Sequence, residues 1–159
     1  MRDLRSNTVR GFLAEWLVMR AVGATEVLPD WHAFDVLTPG GVKVEVKSSA
    51  YLQSWSQERH SRIVFSGLMA RTWDPATAFA GERTFNSDVY VFCVQTAQEH
   101  EDYDPLDVGQ WDFYVLPAAT VKGIGQRSVG LARVQRETVR VGFHALAQAI
   151  DQAAQRQNS

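Results

Sequence analysis

Asp35-Val36-Leu37-Thr38-Pro39-Gly40-Gly41-Val42-Lys43-Val44-Glu45-Val46-Lys47 is the stretch on which the reading of this chain turns. Two β-rich runs, Trp31 to Leu37 and Val42 to Val46, flank a Pro-Gly-Gly turn, which predicts a β-hairpin. In the second run the strand period of two sends Val42, Val44 and Val46 to one face and Lys43, Glu45 and Lys47 to the other. Whether Asp35 joins Glu45 and Lys47 depends on register. A two-residue loop pairs Asp35 with Val44, on the wrong face. A three-residue loop, Pro39-Gly40-Gly41, pairs Thr38 with Val42 and so sets Asp35 opposite Glu45. The sequence favours the second, because Pro39 suits the first αR position and Gly41 the left-handed residue that closes such a loop.

Directly opposed side chains have Cβ atoms about 4.5–5.5 Å apart. Two carboxylates that close repel unless something compensates, and a divalent cation does so. Mg²⁺ prefers one or two carboxylates completed by water and phosphate oxygens. Lys47 beside such a pair suits holding a water or a phosphate oxygen, or offsetting charge as a phosphodiester is attacked.

Upstream, Phe12, Leu13, Trp16, Leu17 and Met19 or Arg20 recur at helical spacing from about Thr8 to Ala21, with Gly23 as the stop. Glu15 falls at the edge of that apolar stripe. Downstream, Ser48 to Gln57 reads as either loop or short helix, and Arg62 to Ser66 as a strand. Leu68 to Asn86 is ambiguous. Asp88 opens Val89 to Val94, the most apolar run and the expected buried central strand. Trp111 to Leu116 is a further strand ended by Pro117. Gly123, Gly125 and Gly130 suggest a flexible stretch, Ser128 to Val134 another strand, and Phe143 to Ala154 a C-terminal helix. No repeat, low-complexity tract or linker interrupts this order. The expectation is one α/β domain with a mixed sheet covered by helices.

Composition agrees with a single domain. The 159 residues are 45% hydrophobic and 21% charged, which excludes disordered and fibrous classes. A single cysteine, Cys93, excludes an internal disulfide and a cysteine zinc site, and its place in the most apolar run makes it a core residue. Glu99 to Asp112 holds six acidic residues and no lysine or arginine, so against a net charge of −2 the remainder sums to +4. No apolar run approaches the ~20 residues of a membrane span, and the polar start Met1 to Asn7 lacks a signal-peptide core. A cytoplasmic protein with no membrane association is expected.

Asp35, then nine residues, then Glu45-Val46-Lys47 resembles the pattern of the PD-(D/E)XK nucleases, the restriction-endonuclease-like superfamily. Gly11-Phe12-Leu13-Ala14-Glu15 on the expected first helix resembles the element that brings a further Glu to many members, as in archaeal-type Holliday junction resolvases. The resemblance spans Thr8 to Gln57, with the Asp88–Val94 strand consistent with it. It departs at Phe34, where the family name has Pro. It implies a restriction-endonuclease-like core over residues 1–159, a central mixed sheet flanked by helices. It also implies metal-dependent phosphodiester hydrolysis. Asp35 and Glu45 would bind Mg²⁺ or Mn²⁺, Lys47 would be catalytic, and Glu15 would support the metal or Lys47. The expected substrate is nucleic acid, DNA first, and a homodimer is implied. The alternative is a nuclease-fold module that binds nucleic acid or a partner protein without cutting.

Gln53 is a candidate for an accessory polar role. Arg62, with Arg59, Arg71 and Arg83, is a candidate for phosphate contact, and Trp55 and Trp73 for base stacking. Taken singly, each reads better as an ordinary structural residue, the tryptophans packing the core and the arginines coating the surface. His32, His60, His100 and His144 share no metal-ligand spacing, and His32 reads as structural despite lying near Asp35. Ser48 and Ser49 lie in no nucleophile-elbow motif, and no phosphate-binding Gly loop is present. Asp88 reads as a strand start.

Overall fold

Ser6 starts the first helix. Its hydroxyl accepts the Val9 N–H at 3.3 Å, and Gly23, at φ 73°, ends it in the left-handed conformation. The structure, a computed structural model, describes residues 3–29, 33–68, 70–74, 79–84 and 87–159, with only the backbone of 70–74 and 79–84. Expectations for Trp31 and His32, and for the side chains of Arg71, Trp73 and Arg83, lie outside the described residues.

In chain order the elements are α1 (Asn7–Val22), β1 (Val36–Leu37), β2 (Lys43–Ala50), β3 (Val64–Phe65), β4 (Ala70–Asp74), β5 (Phe79–Thr84), β6 (Val89–Gln95), β7 (Trp111–Pro117), α2 (Ala118–Ile124), β8 (Val129–Gly130), α3 (Leu131–Glu137) and α4 (Leu146–Gln157). The main sheet is mixed, in the order β1-β2-β6-β7. β1 and β7 run antiparallel to their neighbours, and β2 runs parallel to β6. The β3-β8 and β4-β5 pairs form two separate small sheets.

Strand alternation divides the core in two. Val44 and Val46 of β2, Val89, Val91 and Cys93 of β6, and Trp111, Phe113 and Val115 of β7 face α1 and α4. Tyr90, Phe92 and Val94, with Tyr114 and Leu116, face α2, α3 and the small β3-β8 sheet. All seven residues of β6 are buried, as a strand covered on both faces must be. Each large apolar side chain so enclosed contributes about 1.5–3 kcal/mol. The expected central strand, the mixed sheet and the core role of Cys93 all hold in this architecture.

Several local expectations do not hold. Phe12 and Trp16 are 59% and 46% exposed, whereas Arg10, Ala14, Leu17 and Val18 are buried. The buried stripe of α1 is therefore rotated from the most hydrophobic reading, because α1 meets the sheet through small and aliphatic residues. The segment after Lys47 continues as strand to Ala50, since β6 runs beside it over its whole length. Arg62 to Ser66 contributes only the two residues of β3, and these pair with β8 outside the main sheet. The glycines at 123–130 fall within or beside short regular elements. Gly123 lies within α2 and Gly125, at φ 69°, caps it. Ser128 to Val134 is mostly helix: after the two residues of β8, Leu131 begins α3. The hairpin's first strand is also shorter than expected, with only Val36 and Leu37 paired.

Candidate active site

The hairpin takes the three-residue loop. Val36 pairs with Val44 and Leu37 with Lys43, and the Thr38 N–H donates to the Val42 carbonyl at 3.0 Å. Gly41 sits at φ 87°, the left-handed position that closes the loop. One residue further back, Asp35 stays at the edge of β2, where its charge is felt by Glu45 and Lys47 acts on it in turn.

Because β1 is two residues long, most of β2 has no strand on its outer side among the described residues. Asp35 fills the next position with its side chain: Oδ2 accepts the Val46 N–H at 2.8 Å, while the Asp35 N–H donates to the Val44 carbonyl at 3.0 Å. Glu15 reaches this edge from α1, and its carboxyl hydrogen-bonds to that of Asp35. Lys47 Nζ lies 3.3 Å from Glu45 Oε1, both side chains about one-fifth exposed. The Ser87 hydroxyl donates to Glu45 Oε2 at 3.4 Å. All four expected residues, Glu15, Asp35, Glu45 and Lys47, therefore form one connected group.

The electrostatics are those of crowded carboxylates in a half-enclosed site. Burial pushes the Asp35 carboxyl above its ordinary range, against the opposing pull of the Val46 N–H, Lys47 and the hydrogen bond from Glu15. Burial also raises Glu45, the negative charge of Asp35 raises it further, and Lys47 and Ser87 partly offset both. Among the described residues no three acidic, imidazole or thiol groups stand ready-made as a metal cage. The donor chemistry nevertheless fits a hard divalent cation held by two carboxylates, with water and substrate oxygens completing its shell. Asp35 and Glu45 are the residues that would hold it.

Three further residues shape the site without having been anticipated. Gly67, at φ 68°, leaves room for Lys47: a Cβ there would stand 3.3 Å from Nζ. Tyr90, beside Glu45 in the parallel pairing, donates its hydroxyl to the Leu68 carbonyl at 2.9 Å and so anchors the loop that carries Gly67. Burial, with the charges of Glu45 and Asp35, pushes the Tyr90 phenol up, so it stays a donor. Ser87 is the third. A lone glycine and a serine before a strand carry no sequence signal; Tyr90 was legible only as a core residue.

Gln53 is buried and committed to structure. Its amide NH₂ donates to the Ala50 carbonyl at 3.2 Å, and its Oε1 accepts from Arg10 Nη1 at 3.2 Å. Arg62 and Trp55 are exposed and line a cleft beside β2. Arg59 and His60 are exposed. Asp88 does start its strand: Oδ2 accepts the Lys43 N–H at 3.0 Å and its own N–H donates to the Lys43 carbonyl, which ties β6 to β2.

No protein-family model matches this chain, and no curated protein matches it significantly. Among the described residues no helix is long and apolar enough to cross a membrane.

Proposed function

We propose that the protein is a divalent-metal-dependent nuclease of the PD-(D/E)XK type, hydrolysing phosphodiester bonds in nucleic acid, with DNA the first substrate to test. One observation carries the reading: Asp35, Glu45 and Lys47 come together at one edge of a mixed sheet, with Glu15 joined to Asp35. A structural edge strand needs scattered charges. It does not need three carboxylates drawn into one half-buried group, in which burial raises Asp35 and Glu45 and the charge of Asp35 raises Glu45 further.

In this reading Asp35 and Glu45 hold a Mg²⁺ or Mn²⁺ ion and Glu15 steadies Asp35. The ion, when bound, offsets charge on a phosphoryl oxygen and lowers the pKa of a water. Lys47 exchanges its contact with Glu45 for one with the attacking water or a phosphate oxygen, and holds it in line. The restriction-endonuclease-like assignment, a cytoplasmic location and a homodimer belong to the same proposal.

A second reading is a nuclease-fold module that binds nucleic acid or a partner protein without cutting. It is favoured by the partners that Asp35 and Glu45 already have, the Val46 N–H and Lys47. Calorimetric titration of Mn²⁺ into wild type, Asp35→Ala and Glu45→Ala separates the two, followed by cleavage assays on linear, branched and single-stranded DNA. Binding lost in both variants, with metal-dependent cleavage in wild type, supports the nuclease. Metal binding absent both alone and with a cleavage-resistant oligonucleotide overturns it.

A further inference from the structure

Along β2 from Lys47 lies a polar cleft of about 410 Å³. Arg10, Arg62, Ser48, Ser49, Ser61 and Trp55 line it, and among the described residues no acidic one does. In a chain of net charge −2, two arginines facing one cavity without a carboxylate stand against the average.

Arg10 is the unusual member. It is 5% exposed, yet among the described residues its hydrogen-bond partners are all neutral: Asn7 Oδ1 at 2.6 Å, Gln53 Oε1 at 3.2 Å and the Arg5 carbonyl at 3.5 Å. Its Nε is buried with no hydrogen-bond partner, and among the described residues no carboxylate pairs with it. Buried cations are ordinarily paired, because an unneutralised charge away from water is costly. Gln53 and Asn7 fix the guanidinium at the cleft but leave its charge unmatched.

The other walls suit an oxyanion. Ser61 Oγ accepts from Gln57 Nε2 at 3.0 Å, which leaves its own O–H to donate. Arg62 is exposed and makes no ion pair among the described residues, so it is able to close over a ligand. A guanidinium pair with hydroxyl donors matches the geometry and charge of phosphate. Trp55, 54% exposed at the rim, offers a ring face to a base carried by that phosphate. Ser66, also on the wall, adjoins Gly67 and hence Lys47, so the cleft opens close to the carboxylate group.

We infer that this cleft is a second phosphate site, in which Arg10 and Arg62 neutralise a nucleotide phosphate and Trp55 stacks on its base. The phosphate part stands on the cleft alone, whereas the nucleotide identity rests on the nuclease reading.

The test is calorimetry in EDTA, so that no metal contributes, on wild type, Arg62→Ala, Arg10→Lys and the double variant Asp35→Asn/Glu45→Gln. Probes are inorganic phosphate, thymidine 5′-monophosphate, thymidine, and short oligonucleotides with 5′-phosphate, 3′-phosphate or hydroxyl ends. Phosphate and the monophosphate should bind and thymidine should not. Arg62→Ala, a surface change, should weaken binding about tenfold, the loss of one charge-assisted contact. The carboxylate double variant should bind at least as well as wild type. A preference between the phosphorylated ends identifies which terminus enters. Affinity unchanged in Arg62→Ala and Arg10→Lys, or no binding at millimolar phosphate, overturns the inference. A protein that binds phosphate here but cuts nothing retains this site and loses the nuclease reading; one that cuts without binding phosphate does the reverse.

Discussion

Asp35 Oδ2 accepts the backbone N–H of Val46 at 2.8 Å. A side chain thus takes the place that a longer β1 would occupy, and the carboxylate that the proposed nuclease uses for metal also closes a strand edge. Under that proposal, function and stability meet at one residue.

The raised pKa values of Asp35 and Glu45 make this site destabilising at neutral pH. Each carboxyl binds its proton more tightly folded than unfolded, so its contribution is most favourable below the ordinary values of 3.8 and 4.5 and is lost as pH rises through the folded pKa. Asp35→Asn keeps an acceptor for the Val46 N–H while removing the charge. It should raise stability at pH 7 by about 1 kcal/mol, with the gain shrinking as pH falls through the folded pKa and gone below the ordinary value of 3.8. Urea unfolding across that range checks this, and a variant less stable than wild type at pH 7 contradicts it.

Lys47→Ala leaves both carboxylates in place. Mn²⁺ binding should persist while cleavage falls by at least ~10²-fold, measured under single-turnover conditions. Equal loss of metal binding and cleavage would assign Lys47 to holding the site together rather than to the reaction.

Gly67→Ala combines a positive φ with close approach. The backbone should cost about 1–2 kcal/mol, and the new Cβ, 3.3 Å from Nζ, pushes Lys47 by a few tenths of an ångström. Cleavage should fall more than thermal stability alone explains. If cleavage per folded molecule is unchanged, the glycine serves only its turn.

On α1 the two readings of the helix differ sharply. Leu17→Ala should cost about 2–5 kcal/mol, as for a buried leucine, whereas Phe12→Ser, at a site 59% exposed, should change stability by no more than about 0.5 kcal/mol. Chemical denaturation of both variants decides which face packs.

Much of the candidate site was legible beforehand because its signals are local. The Pro39-Gly40-Gly41 turn fixes the hairpin register, and alternation along β2 puts Glu45 and Lys47 on one side. Asp35 follows from those two facts. The buried run Val89 to Val94 announced the central strand for the same reason. Hydrophobicity misled at Phe12 and Trp16, since a helix face is chosen by what it packs against and not by which residues are largest.

What the sequence determined by itself is therefore what is carried by neighbours along the chain: the first helix and its stop at Gly23, the hairpin register, the central strand, and the grouping of Asp35, Glu45 and Lys47. Tertiary structure alone decided the parallel pairing of β2 with β6, the turn of α1 that buries Arg10, and the approach of Gly67 to Lys47. Such contacts join residues far apart in the chain. Their free energy comes from burial and pairing on whole faces, which no local periodicity encodes.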